Sequence, residues 1–121
     1  MKNLLFLIGL LVGLNLNAQE SKKNTNSTNV ETTIKVKGVC NMCKERIENA
    51  ALRTKGVKFA EWNKETQILE LVFNGKKTSE EEIHHAIADH GHETELVKAD
   101  SSVYSQLPNC CKYNDGAECA H

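Results

Sequence analysis

The chain opens with an almost unbroken apolar run, passes through a polar stretch with no period, and only then settles into regular alternation. Glu20 to Asn29 (ESKKNTNSTN) holds no large apolar residue and cannot bury enough surface to order itself, so it reads as a flexible leader over 19–30. Thr32 to Lys37 alternates with period two, turning Ile34 and Val36 inward, as in a half-buried strand. A loop at Gly38 to Met42 leads into a helical stretch from Cys43 to Lys55, with Ile47, Ala50, Ala51 and Thr54 along one side. Gly56 stands where a helix stop is expected. Val57 to Trp62 and Thr66 to Phe73 read as two further strands, joined by a turn at Asn63-Lys64-Glu65 and closed by Asn74-Gly75-Lys76-Lys77.

Ser79-Glu80-Glu81-Glu82 has the spacing of a capping box: the serine accepts from first-turn amides while Glu82 reaches back. It starts a second helix with Ile83, Ala86 and Ile87 on one side, ending at Gly91. His92 to Lys98, carried by Leu96 and Val97, is expected to be a fourth strand. The order βαββαβ over residues 31–98 predicts an α+β sandwich, a four-stranded antiparallel sheet with both helices on one face. Trp62, Phe59, Leu69, Leu71 and Phe73 are its core candidates. The domain boundaries are drawn at 31–99, leaving a tail at 100–121 that carries the single proline, Pro108, and no clear period. That tail is expected to order only if its cysteines are tied down.

The first 18 residues fit a targeting signal rather than fold. Met1-Lys2-Asn3 is a short basic start, Leu4 to Leu16 is apolar, and cleavage is expected after Ala18. The apolar run of about 13 residues falls short of the roughly 20 needed to span hydrocarbon as a helix. No cysteine follows the cut directly, so no lipid anchor is expected there. The reading is an exported protein, periplasmic or else secreted, with no membrane span after cleavage. Removing residues 1–18 takes away Lys2 and leaves 14 basic against 16 acidic residues, a balance that disfavours nucleic acid as a partner.

All five cysteines, Cys40, Cys43, Cys110, Cys111 and Cys119, lie after that cut. Exported cysteines usually form disulfides, but the odd count leaves at least one thiol for other chemistry. Cys40 and Cys43 flank a loop-to-helix turn that can aim both sulfurs at one point. Cys43 lies at the expected helix start, where unpaired amides should depress its thiol pKa. Two thiolates suit a soft ion such as Cu(I), whereas tetrahedral zinc wants four ligands. A redox dithiol and a structural disulfide are the competing readings. The strand order argues against a thioredoxin-type core, and so short a loop closure adds little stability.

Val39-Cys40-Asn41-Met42-Cys43, Ile47-Glu48-Asn49-Ala50, Gly56-Val57, Ala86-Ile87 and Gly91-His92-Glu93 together resemble the heavy-metal-associated domain family. That family includes copper chaperones, domains of copper-pumping ATPases and a periplasmic mercury-binding protein. The resemblance implies a ferredoxin-like fold and a non-enzymatic metallochaperone or sequestering role, with Cu(I) or another thiophilic ion (Hg, Zn, Ag) as cargo. It implies transfer through a shared-ligand intermediate, in near-linear then three-coordinate geometry, to a metal-transport or metal-accepting protein, with the carrier a monomer. It also sets His92 beside the Cys40–Cys43 loop as a candidate third ligand, the alternative being a half-buried polar residue at a strand start. The family usually shows Gly-Met-x-Cys-x-x-Cys. Here Lys37-Gly38-Val39 precedes Cys40, so the glycine comes one place late and the loop methionine is missing.

Of the remaining histidines, His84 and His85 lie about 100° apart on the second helix and are expected to face solvent, and His90 to sit near the helix end. Lys44 and Lys55 are candidate contacts for an acidic partner. In the tail, Cys110, Cys111, Cys119 and His121 read either as soft-metal ligands or as a disulfide joining Cys119 to Cys110 or Cys111. As ligands they would form a second site or fold back to close the first.

Overall fold

The computed structural model describes residues 28–116. The expected signal segment, most of the leader, Cys119 and His121 lie outside the described residues. Strand β1 (Asn29–Lys35) is followed by helix α1 (Asn41–Leu52), strands β2 (Val57–Trp62) and β3 (Ile68–Asn74), and helix α2 (Glu80–Asp89). The tail then forms a short helix α3 (Ser101–Ser105) and two 3₁₀ turns at Asn109–Cys111 and Tyr113–Asp115. Strand pairing begins at Asn29, which takes the last two residues of the expected leader into the sheet.

The sheet has three strands in the order β1-β3-β2, with both neighbours antiparallel to β3. Its register sets Ile34 opposite Leu69, which also faces Trp62, and Ala60 opposite Leu71. Side chains alternate across a strand, so these residues share the inner face. Both helices pack on the sheet. Ile34, Trp62, Leu69, Leu71 and Phe73 are buried with Ile47, Ala50 and Ala51 of α1 and Ile83 and Ile87 of α2. Each buried Ile, Leu or Phe among them contributes roughly 1.5–3 kcal/mol by leaving water.

Phe59 departs from the expected core. It pairs with Val72 on the outer face and is 43% exposed. With Ala60 and Trp62 turned inward, period two sends Phe59 out, and a bulge between Val57 and Phe59 still lets Val57 reach the core.

The expected fourth strand is reduced to one bridge between Val36 and Thr94. Lys37 N donates to Glu93 O and Glu95 N to Lys35 O, at 2.9 and 3.1 Å. The Thr94 hydroxyl then accepts from the amides of Leu96 and Val97, at 3.3 and 3.0 Å, and turns the chain away. Leu96, counted on as a strand residue, is 70% exposed.

His84 is a third correction, being fully buried. It shares a face with Ile87 and Ala88, three and four positions on, and its Nδ1 is hydrogen-bonded to the Thr94 hydroxyl at 2.7 Å. His85 is exposed as expected. The capping box forms by half: Ser79 Oγ accepts from Glu82 N at 3.2 Å, but the Glu82 carboxylate takes the Thr78 hydroxyl at 2.7 Å. The tail, read as lacking a helical period, holds α3 because Asp100 caps it, accepting from the amides of Ser102 and Val103. No helix among the described residues is long and apolar enough to cross a membrane.

Candidate metal centre

Helix α1 starts at Asn41, two residues earlier than the pattern predicts, which makes Cys40 its N-cap and moves Cys43 into the first turn. The two sulfurs lie 3.4 Å apart, and both side chains are buried. This inverts the expected electrostatics. Desolvation pushes the Cys40 thiol up, but the Cys43 amide, the Cys43 and Cys111 thiols and the Met42 amide outweigh it, so Cys40 titrates below the ordinary thiol range. Cys43 is raised instead, because its deeper burial exceeds what its hydrogen bonds return. Position at a helix start depresses a thiol only where the amides that meet the sulfur outweigh its desolvation. Cys40 is desolvated too, but the Cys43 and Met42 amides and the neighbouring thiols outweigh that cost there, and the bonds to Cys43 do not.

The tail supplies more sulfur to the same point. Cys111 is fully buried, and its Sγ lies 3.8 Å from that of Cys40. The sulfurs of Cys40, Cys110 and Cys111 all lie within 4.8 Å of one another. Cys110 reaches the rim, with its Sγ 3.9 Å from the Met42 Sδ. Burial and the neighbouring thiols push the Cys111 thiol far up, so it is a neutral thiol near neutral pH. A bound soft cation would displace its proton, since metal-bound cysteine is thiolate.

The scaffold that holds the loop is built on Trp62, expected only as a core residue, and on Gln67, which the sequence pattern did not single out. Trp62 Nε1 donates to Val36 O at 3.0 Å, and the edge of its indole lies where a Cβ on Gly38 would come within 2.9 Å. The same Cβ would meet the Cys43 Cβ at 3.0 Å. The indole therefore packs under the Cys40–Cys43 loop, and the late glycine is what lets it approach. Gln67, in the left-handed region at φ 60°, donates from its side-chain amide to Gly38 O at 3.0 Å. The sequence reading puts Gln67 inside the third strand, whereas β3 starts at Ile68, so no pattern announces this bond.

His92 is buried and braces the loop from the other side. Its Nδ1 donates to Lys37 O at 2.9 Å, which leaves Nε2 as the basic nitrogen, buried and without a hydrogen-bond partner. Burial lowers the imidazole pKa, against the opposing effect of the Lys37 carbonyl. The sulfur group of Cys40, Cys110 and Cys111 does not include it. The ring stacks instead on Tyr113 of the tail, with centroids 5.6 Å apart. Tyr113 donates its hydroxyl to Gly91 O at 2.8 Å and accepts from Glu93 N at 2.9 Å, and burial pushes its pKa up to about 12. Lys44 turns inward to Glu48 and to Trp62 O, at 2.7 and 3.0 Å, so its charge is already engaged, while Lys55 is exposed. His90 is exposed near the end of α2, with its Nδ1 at 2.7 Å from Ala86 O.

Residues 33–93 match the heavy-metal-associated domain. The chain belongs to that family. None of the curated proteins matches it by sequence. Among solved structures this heavy-metal-associated domain is similar to a "CopZ metallochaperone", at 26% identity and a TM-score of 0.52, over 54% of this chain and 98% of that one. It is similar to oxidized MerP from Ralstonia metallidurans CH34, at 26% identity and a TM-score of 0.53, over 55% of this chain and 94% of that one. A "copper binding domain from HMA7, a P-type ATPase" aligns at 29% identity and a TM-score of 0.52, over 54% of this chain and 89% of that one. The match to the heavy-metal-associated domain covers Cys40, Cys43 and His92 and ends before Cys110 and Cys111. The thiols at the loop are compatible with metal binding, and the tail that adds to them lies outside the matched segment.

Proposed function

We propose that this protein is an exported carrier of Cu(I), which Cys40 and Cys43 hold as their cargo and release to an acceptor protein by ligand exchange. The observation that carries the reading is the pair of buried sulfurs 3.4 Å apart at the start of α1. Two polarisable thiolates so close, in a site shielded from water, favour a soft monovalent ion over a hard one. Similarity to a metallochaperone and to a copper-binding domain of a P-type ATPase supports both the cargo and an acceptor of the metal-transporter class. The low-pKa thiol of Cys40 is the natural first ligand. Exchange proceeds as an acceptor thiolate bonds the ion while one carrier thiolate leaves and takes up a proton. Export rests on the basic-apolar-Ala18 pattern of the first 18 residues.

An anaerobic Cu(I) titration of residues 19–121 against a strong chromogenic chelator tests the cargo. Tight competition that disappears in a Cys40→Ser/Cys43→Ser variant is the expected result. Failure of the unaltered protein to compete, or reduction of insulin by its dithiol, would replace the carrier with thiol–disulfide exchange. Export is checked by expressing the full chain in a Gram-negative host and measuring the N-terminus of the periplasmic product, expected at Gln19.

A further inference from the structure

Beneath the tail Cys43 and Cys111 each lie against the sulfur of Cys40, and all three thiols are buried. Thiols are weak hydrogen-bond donors and acceptors, so mutual S–H contacts alone are a poor reason to gather three of them inside a domain. Each is a free cysteine here. The tail is also held in place by contacts that owe nothing to sulfur. Tyr113 bonds both Gly91 O and Glu93 N, Leu107 lies over Gly91, and the 3₁₀ turn carrying Cys111 is closed by its amide donating to Pro108 O at 2.8 Å. Cys111 is thus presented to the loop by a preformed scaffold.

The spacing selects a coordination number. With a metal–thiolate bond of about 2.3 Å, as for zinc, a linear pair of sulfurs sits roughly 4.6 Å apart and a trigonal trio roughly 4.0 Å apart. The observed separations, 3.4 Å for Cys40–Cys43 and 3.8 Å for Cys40–Cys111, require a smaller spread to reach the trigonal arrangement than the linear one. We infer that Cys111 is a built-in third ligand, so that Cys40, Cys43 and Cys111 enclose one thiophilic cation in a three-thiolate site under the tail. Cys110, partly exposed beside Met42, stays at the rim. Binding displaces the protons of all three thiols and leaves a Cu(I) tris-thiolate of net charge −2. This deepens the preceding reading and rests on the loop being a metal site. Its consequence is retention: an acceptor thiolate meets a place already filled, and transfer must first displace Cys111.

The test loads residues 19–121 anaerobically with one equivalent of Cu(I) and counts sulfur ligands by copper K-edge X-ray absorption, beside chelator competition and the rate of Cu(I) loss to excess chelator. Three sulfurs in the unaltered protein, two in Cys111→Ser and three in Cys110→Ser are expected. Cys111→Ser should also bind about tenfold less tightly and lose copper faster. Two sulfurs in the unaltered protein overturn the inference whatever the folding of any variant. A Cys111→Ser protein with unchanged sulfur count and release rate overturns it too, as does loss of the third sulfur in Cys110→Ser instead. In each of those cases the Cys40–Cys43 reading stands. If Cys40→Ser/Cys43→Ser binds as tightly as the unaltered protein, the loop reading falls and the three-thiolate site falls with it.

Discussion

The Cys111 sulfur lies 3.8 Å from that of Cys40 across 71 positions of sequence. Loop and tail are therefore one structural unit at the candidate metal centre, and the strength of their union is open to measurement.

Tyr113 ties the tail to the turn after α2, since its hydroxyl serves both Gly91 O and Glu93 N. Tyr113→Phe removes both bonds and leaves a backbone donor and acceptor to find water. A loss of about 1–3 kcal/mol is expected. Hydrogen exchange checks where it falls: protection should drop over residues 107–115 and be kept in β3.

Gly38 is required by the close approach of Trp62 and Cys43, not by its backbone angles. A methyl group there would stand 2.9 Å from the indole and 3.0 Å from the Cys43 Cβ. Gly38→Ala should cost about 1–3 kcal/mol as overpacking. Urea denaturation measures the cost. The same displacement spreads the Cys40–Cys43 pair, so Cu(I) affinity should fall as well.

Acid should destabilise the metal-free protein through His92. Burial keeps its folded-state pKa below the value of about 6.5 expected in the unfolded chain. Above that pH both states are neutral. As pH falls, the unfolded chain takes up a proton that the folded imidazole refuses, so stability is lost on the way down toward the folded value. Thermal unfolding should show a lower midpoint at about pH 5.5 than at about pH 7.5, and His92→Asn should flatten that difference.

Cargo binding should stabilise the fold by mass action. At free Cu(I) near 1,000 times Kd the gain is about 4 kcal/mol. Urea midpoints with and without Cu(I) under anaerobic conditions measure it. The unaltered protein should shift and Cys40→Ser/Cys43→Ser should not.

Much of the fold is legible in the linear pattern because its signals are local. Alternation marks β1 and β3, the Ile47/Ala50/Ala51 spacing marks α1, and Ser79 marks the start of α2. The errors arise where a neighbour in space overrules the period. Thr94 spends its hydroxyl on the Leu96 and Val97 amides and ends the fourth strand at one bridge. The register of β2 on β3 turns Phe59 outward. A wide buried stripe on α2 takes in His84, which adjacency to His85 cannot reveal.

The site divides the same way. Sequence by itself determined that Cys40 and Cys43 share one loop at a helix start, because three residues of chain cannot separate them far, and it determined the family through joint spacing. Only the tertiary structure decided which thiol is lowered, because amide direction and desolvation are properties of a packed surface. It alone put Trp62 beneath the loop and Gln67 on the Gly38 carbonyl. It alone brought Cys111 to Cys40, because contacts between distant segments depend on how Tyr113 and Leu107 dock, and no period along the chain encodes that docking.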